Sequence, residues 1–252
     1  MDNALDYGQQ QFNLPHDVVK LPSRGIYYIP KKESLKVGYL TANDENVLMS
    51  PNNTKDGVIK TLLRSKIYEH GFDVSQMINV DVQAVLIFLR NTAFGSEYEF
   101  SVRDPKTNLF FETTILLDEI NYLTPKHIPN DEGLFEYELP KSKKKVKLKL
   151  LTLGDENEID KIIDQYPKGM VAPVITKRLE KHIVELDGSR DKGVIATFLN
   201  QMPISDSKDI RKFISECEPK MDLDRKVIAP SGEEVTVGVT FGVEFFRPFF
   251  QS

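Results

Sequence analysis

The sequence predicts an α+β fold made of two related modules, each a short strand pair, several helices and a β-hairpin. Three observations predict it. Segments with apolar residues at helical spacing are interleaved with segments that alternate every second residue. The stretch LTANDEN at Leu40 is nearly repeated as LTLGDEN at Leu151. The elements around the two copies follow one order, as duplication of a module gives and a short-period solenoid does not.

Composition bounds the class. The 252 residues are 40% hydrophobic and 28% charged, the balance of a soluble globular chain with a substantial core. A net charge of −5 does not favour a polyanion, so no nucleic-acid partner is expected. The single Cys217 excludes an internal disulfide framework and fits a reducing compartment. No basic-then-apolar leader and no apolar run of bilayer length is present, so no membrane partner is expected and the chain should be made in cytoplasm.

The polar, aperiodic start assigns residues 1–20 to an N-terminal arm. The first module covers 21–124. It opens with the turn formers Pro22 and Gly25 around an extended aromatic run, followed by a strand alternating Leu35, Val37 and Tyr39. Helical stripes follow: Ile59, Leu62, Leu63 and Ile67, then Val82, Val85, Leu86 and Leu89 behind an N-cap at Asp81. EYEFSVRDPKTNLFFETTILL then reads as two strands around a turn. Pro125, Pro129 and NDEG mark a linker over 125–134.

The second module covers 135–252. YELPKSKKKVKLKLLT reads as one strand, with Val146, Leu148 and Leu150 on one face and lysines on the other. DENEIDKIIDQY, ITKRLEKHIVELDG, KGVIATFLNQM and DIRKFISEC carry helical spacing, and RKVIAPSGEEVTVGVTF reads as the second hairpin. Val-x-x-Pro recurs in both hairpins, at Val102 and at Val227.

Two local features compete for a chemical role. In each LT-x-x-DEN element a Thr (Thr41, Thr152) precedes a carboxylate by three residues (Asp44, Asp155). Paired acid–base carboxylates or an oxygen-ligand metal site would use such residues. Neighbouring Asp and Glu on one helical turn point apart, however, and no His or Cys lies at ligand spacing. The pattern fits a capping box with Asp in place of Glu, placing negative charge at the positive helix end. His16, His70, His127 and His182 are scattered, and Cys217 lies by an apolar stripe. No catalytic residue, cofactor or metal ligand is therefore assigned, and no enzyme activity is expected. The lysines from Lys143 to Lys149 alternate with aliphatic residues, the mark of a strand with one solvated face, whereas a nucleic-acid site would interleave aromatics.

The chain end is the second feature. Phe245, Phe246, Arg247, Phe249 and Phe250 cluster there, with several kcal/mol of burial available at roughly 25 cal/mol per Å2. Either they pack back onto the second module or they dock into another subunit, because contiguous exposed aromatics mark interfaces.

LPSRGIYY, LTANDENVLMSPNNTKDGVIKTLLRSKI, LTLGDENEI, EPKMDLDRKV and EFFRPFF together resemble the T4-type tailed-phage baseplate hub family. The likeness runs over almost the whole chain beyond the first dozen residues and is most specific from Ser23 to Ile67. It implies a non-enzymatic structural or assembly component of a contractile tail, located in the virion baseplate after assembly in the host cytoplasm. Its partners would be other baseplate and tail proteins, including further copies of itself within the hub. A transient assembly chaperone that binds an extended client segment is the alternative, and a nucleic-acid-binding module using Lys143 to Lys149 is a third. Cysteine pairs of zinc-knuckle type occur in the hairpins of some relatives. SVRDPKTN and VIAPSGEE stand there in this chain, so no zinc is carried over.

Overall fold

The computed structural model describes residues 15–49, 55–167 and 169–246. It is an α+β fold whose small sheets are all antiparallel. Strand β1 (His16–Lys20) pairs with β2 (Ser34–Gly38), with Val19 opposite Leu35. The end of the expected N-terminal arm is thus a strand. Its side chains are mostly exposed, Val18 among them, so it has no apolar alternation to read.

Pro22 and Gly25 form turns as expected, but the aromatic run between Ile26 and Pro30, expected to be extended, continues the succession of turns and bends. Gly25 sits at φ +69°, and a Cβ there would meet the Lys32 carbonyl oxygen at 2.1 Å, so the turn requires glycine. Helices α1 (Ala42–Met49) and α2 (Lys55–Lys66) follow, with Leu48, Val58, Leu62 and Leu63 buried. Just past α2 the backbone returns to β2: Ile67 bridges Val37, and the Tyr68 N–H donates to the Lys36 carbonyl at 2.8 Å.

Helix α3 (Asn79–Phe94) buries Val82, Val85, Leu86 and Leu89. Its N-cap is Ile78 rather than Asp81, which lies in the first turn. The Asp81 side chain, 0% exposed, turns away from its own helix. One carboxylate oxygen accepts the Ser23 N–H at 3.0 Å and the other the Tyr28 hydroxyl at 2.5 Å. Tyr28 Oη in turn accepts the Ile78 N–H at 3.3 Å. Burial pushes the Asp81 carboxyl above the usual range, against the pull of these hydrogen bonds. Strands β3 (Glu97–Arg103) and β4 (Phe110–Leu116) then form the expected hairpin, followed by the short strand β5 (Tyr122–Leu123).

In the second half the expected single strand is a hairpin, β6 (Phe135–Glu138) and β7 (Lys145–Leu148). Helices α4 (Leu153–Asp164) and α5 (Val174–His182) follow. The expected helix over ITKRLEKHIVELDG stops at His182, and Ile183–Leu186 is strand β8 against β7. The β-branched pair Ile183 and Val184 suits a strand, and the Lys149 N–H captures the His182 carbonyl at 2.9 Å. Then come α6 (Lys192–Gln201), α7 (Ile204–Cys217) and β9 (Lys220–Met221). Strands β10 (Asp224–Ile228) and β11 (Glu234–Gly238) pair as the second hairpin, and a last helical turn spans Val243–Phe246. Asp206, in the first turn of α7, accepts the N–H groups of Lys141 and Ser142 at 2.8 and 2.9 Å. It holds the β6–β7 turn as Asp81 holds the β1–β2 loop.

The halves are joined at several places. One hydrophobic core runs from Leu21 to Phe246 through both. Strand β5 pairs with β9, so the segment before the expected linker belongs to a sheet with the second half. The linker is also anchored, by the Lys126 N–H on the Glu216 carbonyl at 2.8 Å. The hairpin tips meet where Asp104, 1% exposed, accepts the Ser231 hydroxyl at 2.8 Å and the Ser231 N–H at 3.0 Å.

Asp104 also accepts the N–H groups of Lys106 and Thr107. Burial raises its pKa, but the four hydrogen bonds outweigh this and hold the carboxyl at about 2. An unfolded chain titrates near the ordinary value of about 3.9 and so takes up the proton first as pH falls. The stabilisation is complete above about pH 4 and is lost as pH falls through about 2. Asp104→Asn should therefore flatten the loss of stability between about pH 4 and 2, followed by urea unfolding at each pH. An acid limb unchanged by the substitution would contradict this.

Candidate functional site

The two LT-x-x-DEN elements sit at strand-to-helix junctions, ahead of α1 and α4. At the second, Thr152 is the N-cap of a complete capping box. Its Oγ1 accepts the Asp155 N–H at 3.2 Å while Asp155 Oδ2 accepts the Thr152 N–H at 3.1 Å. At the first the arrangement is one-sided: Asp44 Oδ2 accepts both the N–H of Thr41 at 2.7 Å and its hydroxyl at 2.6 Å. Each carboxylate also meets a lysine. Lys66 Nζ, from the end of α2, lies 2.5 Å from Asp44, with both side chains buried. Lys149 Nζ lies 2.6 Å from Asp155, and Lys181, from the last turn of α5, approaches it at 4.0 Å. Burial opposes ionisation of both carboxyls, but the lysine and threonine hydrogen bonds win and hold them below the usual range. Through Oδ2 each carboxylate ties its helix start to a neighbouring element.

The aromatic chain end lies elsewhere than expected. Phe245 and Phe246 are both 0% exposed, so they are core residues and present no surface. They pack on the first half. The Phe245 ring lies 5.4 Å from that of Tyr98 and 5.8 Å from the Arg90 guanidinium carbon. Arg90 is itself buried and donates to the Gly95 and Glu97 carbonyls at 2.7 and 2.9 Å. Arg247, Phe249 and Phe250 lie outside the described residues.

The basic run is largely neutralised. Lys144 pairs with Asp187 at 2.6 Å, Lys147 with Glu185 at 3.3 Å and Lys149 with Asp155. His182 is buried, with Nδ1 2.9 Å from the Lys149 carbonyl. Burial, then Glu216 and Glu218, push the Cys217 thiol up to about 12, far from a reactive thiolate. Among the described residues no three His, Cys, Asp or Glu side chains come together to hold a metal ion, and no helix is long and apolar enough to cross a membrane.

What the sequence does not announce is a cleft of about 500 Å3 where the halves meet. Three segments distant in sequence build it: the start of α3, the start of α4, and residues 218–223 around β9. The α3 and α4 starts are stitched together by the Leu153 N–H on the Met77 carbonyl at 2.7 Å and by the Ile78–Thr152 bridge. Gly154 allows this approach, since a Cβ there would stand 3.0 Å from the Ser75 carbonyl oxygen. Val80, Val82, Leu151, Leu153, Met221 and Leu223 give the cleft its apolar lining. Asn79, Gln83, Glu218 and Lys220 are polar members of the same lining. At one side Arg178 clamps Glu156 with two hydrogen bonds, at 2.6 and 2.5 Å. Polar and apolar groups share the lining about equally, and a concave site with convergent polar groups is where a ligand or partner segment is expected to bind.

Comparison of the chain with protein-family models, curated proteins and solved structures returned no match.

The capping geometry has a measurable consequence. Thr152→Ala removes the side-chain acceptor of a complete box and should cost about 1 kcal/mol. Thr41→Ala, whose hydroxyl acts as donor to Asp44, should cost less. Urea unfolding of the two variants gives the order, and an equal or reversed order would contradict the geometry.

Proposed function

We propose that the chain is a non-enzymatic structural and assembly component of a contractile-tail baseplate hub, acting through protein–protein contacts with other baseplate and tail proteins. The observation that carries this reading concerns where the family-like blocks fall. Ser23 and Tyr28 of LPSRGIYY hydrogen-bond to Asp81, and the carboxylates of both DEN elements are occupied by Thr and Lys. The residues that carry the resemblance thus serve to hold a rigid body, as a component that presents fixed surfaces requires. Each half runs from a strand pair through helices to a hairpin, the second with a fourth helix and strands β8 and β9 added, and this shared coarse order supports a duplicated module as the origin of that body.

The cleft favours a second reading, an assembly chaperone that receives an extended client segment. A cleft between the halves that mixes aliphatic, amide and charged side chains can take both the side chains and the backbone of such a segment. The same cleft can serve a permanent subunit, so the two readings differ in the lifetime of the complex.

The test is co-expression of the full chain with the baseplate and tail proteins of its own genome, then affinity purification and mass measurement. The expected result is a complex of defined mass containing at least one of them. A chain that elutes alone from every combination would overturn the proposal.

A further inference from the structure

We propose that a second groove, between the β1–β2 loop and the residues around β5 and β9, docks an apolar segment of a partner protein that is flanked by acidic residues. The inference deepens the assembly reading above and rests on it for the class of partner.

The groove has a volume of about 410 Å3. Leu21, Ile26, Tyr27, Tyr122, Leu123 and Ile128 line it, and apolar surface predominates. Pro22, Pro125 and Pro219 add apolar rings without backbone N–H groups. Tyr122, Leu123 and Ile128 are 53%, 51% and 75% exposed. Large apolar side chains left in water at one concave site mark a contact surface. The walls are fixed before any partner arrives. Asp81 holds the Ser23 N–H, the Leu21 N–H donates to the Glu33 carbonyl at 2.9 Å, and β5 pairs with β9. Binding therefore has little of the groove left to order.

Charge selects the occupant. Lys20, Arg24 and Lys220 line the groove, and among the described residues no Asp or Glu does. All three cations are exposed. Lys220 Nζ bonds Ser215 Oγ at 2.7 Å. The Lys20 and Arg24 side chains have no hydrogen bond or ion pair among the described residues. Nearby carboxylates are committed elsewhere: Asp81 to Ser23 and Tyr28, Glu33 to Lys31, and Glu216 to Lys126. Glu218 lines the first cleft instead. The result is a positive, apolar groove in a chain of net charge −5. Carboxylates beside an apolar side chain seated there meet the cations, whereas lysines in the same places are repelled.

The experiment uses the full chain and two fluorescent synthetic peptides with a leucine–tyrosine–leucine centre, flanked by glutamates in one and by lysines in the other. The expected result at low ionic strength is binding of the glutamate peptide about tenfold or more tighter than the lysine peptide. The net charge of the chain alone would give the opposite preference. Lys20→Gln combined with Arg24→Gln should reduce the preference to about twofold or less. Ile128→Ala, at an exposed position, should weaken the glutamate peptide about fivefold while leaving Tm unchanged. Equal affinity, a preference for lysine, a glutamate preference that survives the double substitution, or no binding of either peptide would overturn the proposal. Tighter glutamate-peptide binding after deletion of residues 1–14 would assign the groove to the chain's own Leu5, Asp6 and Tyr7 and overturn the partner assignment. Co-purification with tail proteins that survives all three substitutions would remove the groove from the account and leave the assembly reading standing. Glutamate selectivity in a chain that captures no tail protein would retain the groove and overturn the assembly reading.

Discussion

A carboxylate removed from water must find donors, and the architecture of this chain depends on how that demand is met. Asp81 is the central case. It lies in the first turn of α3, where a charge could have faced the helix dipole and solvent. Instead it is buried and takes its hydrogen bonds from Ser23 and Tyr28, across the β1–β2 loop. Removing such an acceptor leaves buried donors unsatisfied, at a cost of about 1–3 kcal/mol each. The loop, the strand pair and the helix are thereby positioned by one side chain. Asp206 does the same for the β6–β7 turn, and Asp104 for the two hairpin tips.

These polar nodes place the apolar surfaces. With α3 fixed against the β1–β2 loop, its start meets the start of α4, and the capping box at Thr152 sets the direction in which α4 leaves. The cleft is the space left between those two helix starts and the segment around β9. Its shape is therefore a product of the same hydrogen bonds that hold the fold. The chain end contributes by returning to the first half, where Phe245 fills the space beside Tyr98 and Arg90.

Much of the fold is legible in the sequence because it is local. The stripes on α2 and α3, the alternation of β7 and the two hairpin turns are properties of neighbouring residues, and they appear where the periodicity puts them. The misreadings come from tertiary partners. Strand β1 has almost no apolar face, so nothing marks it until β2 is beside it. Ile183 and Val184 continue a helical spacing but are captured as a strand by β7. Asp81 has the residue type and place of a cap, and only the position of Tyr28 reveals its other role. Phe245 and Phe246 look like an exposed tail because their partners, Tyr98 and Arg90, are far away in sequence. The cleft was hidden for the same reason, since its three walls share no motif.

The central claim is that the two halves form one body held by buried polar nodes over a shared core. Native-state amide hydrogen exchange on the wild type and on Asp81→Ala tests it most directly. The account predicts that the slowest amides of α3 and α7 open with a common free energy, and that Asp81→Ala lowers protection in both. Protection lost in α3 but retained at its wild-type value in α7 would show that the halves open independently, and would contradict it.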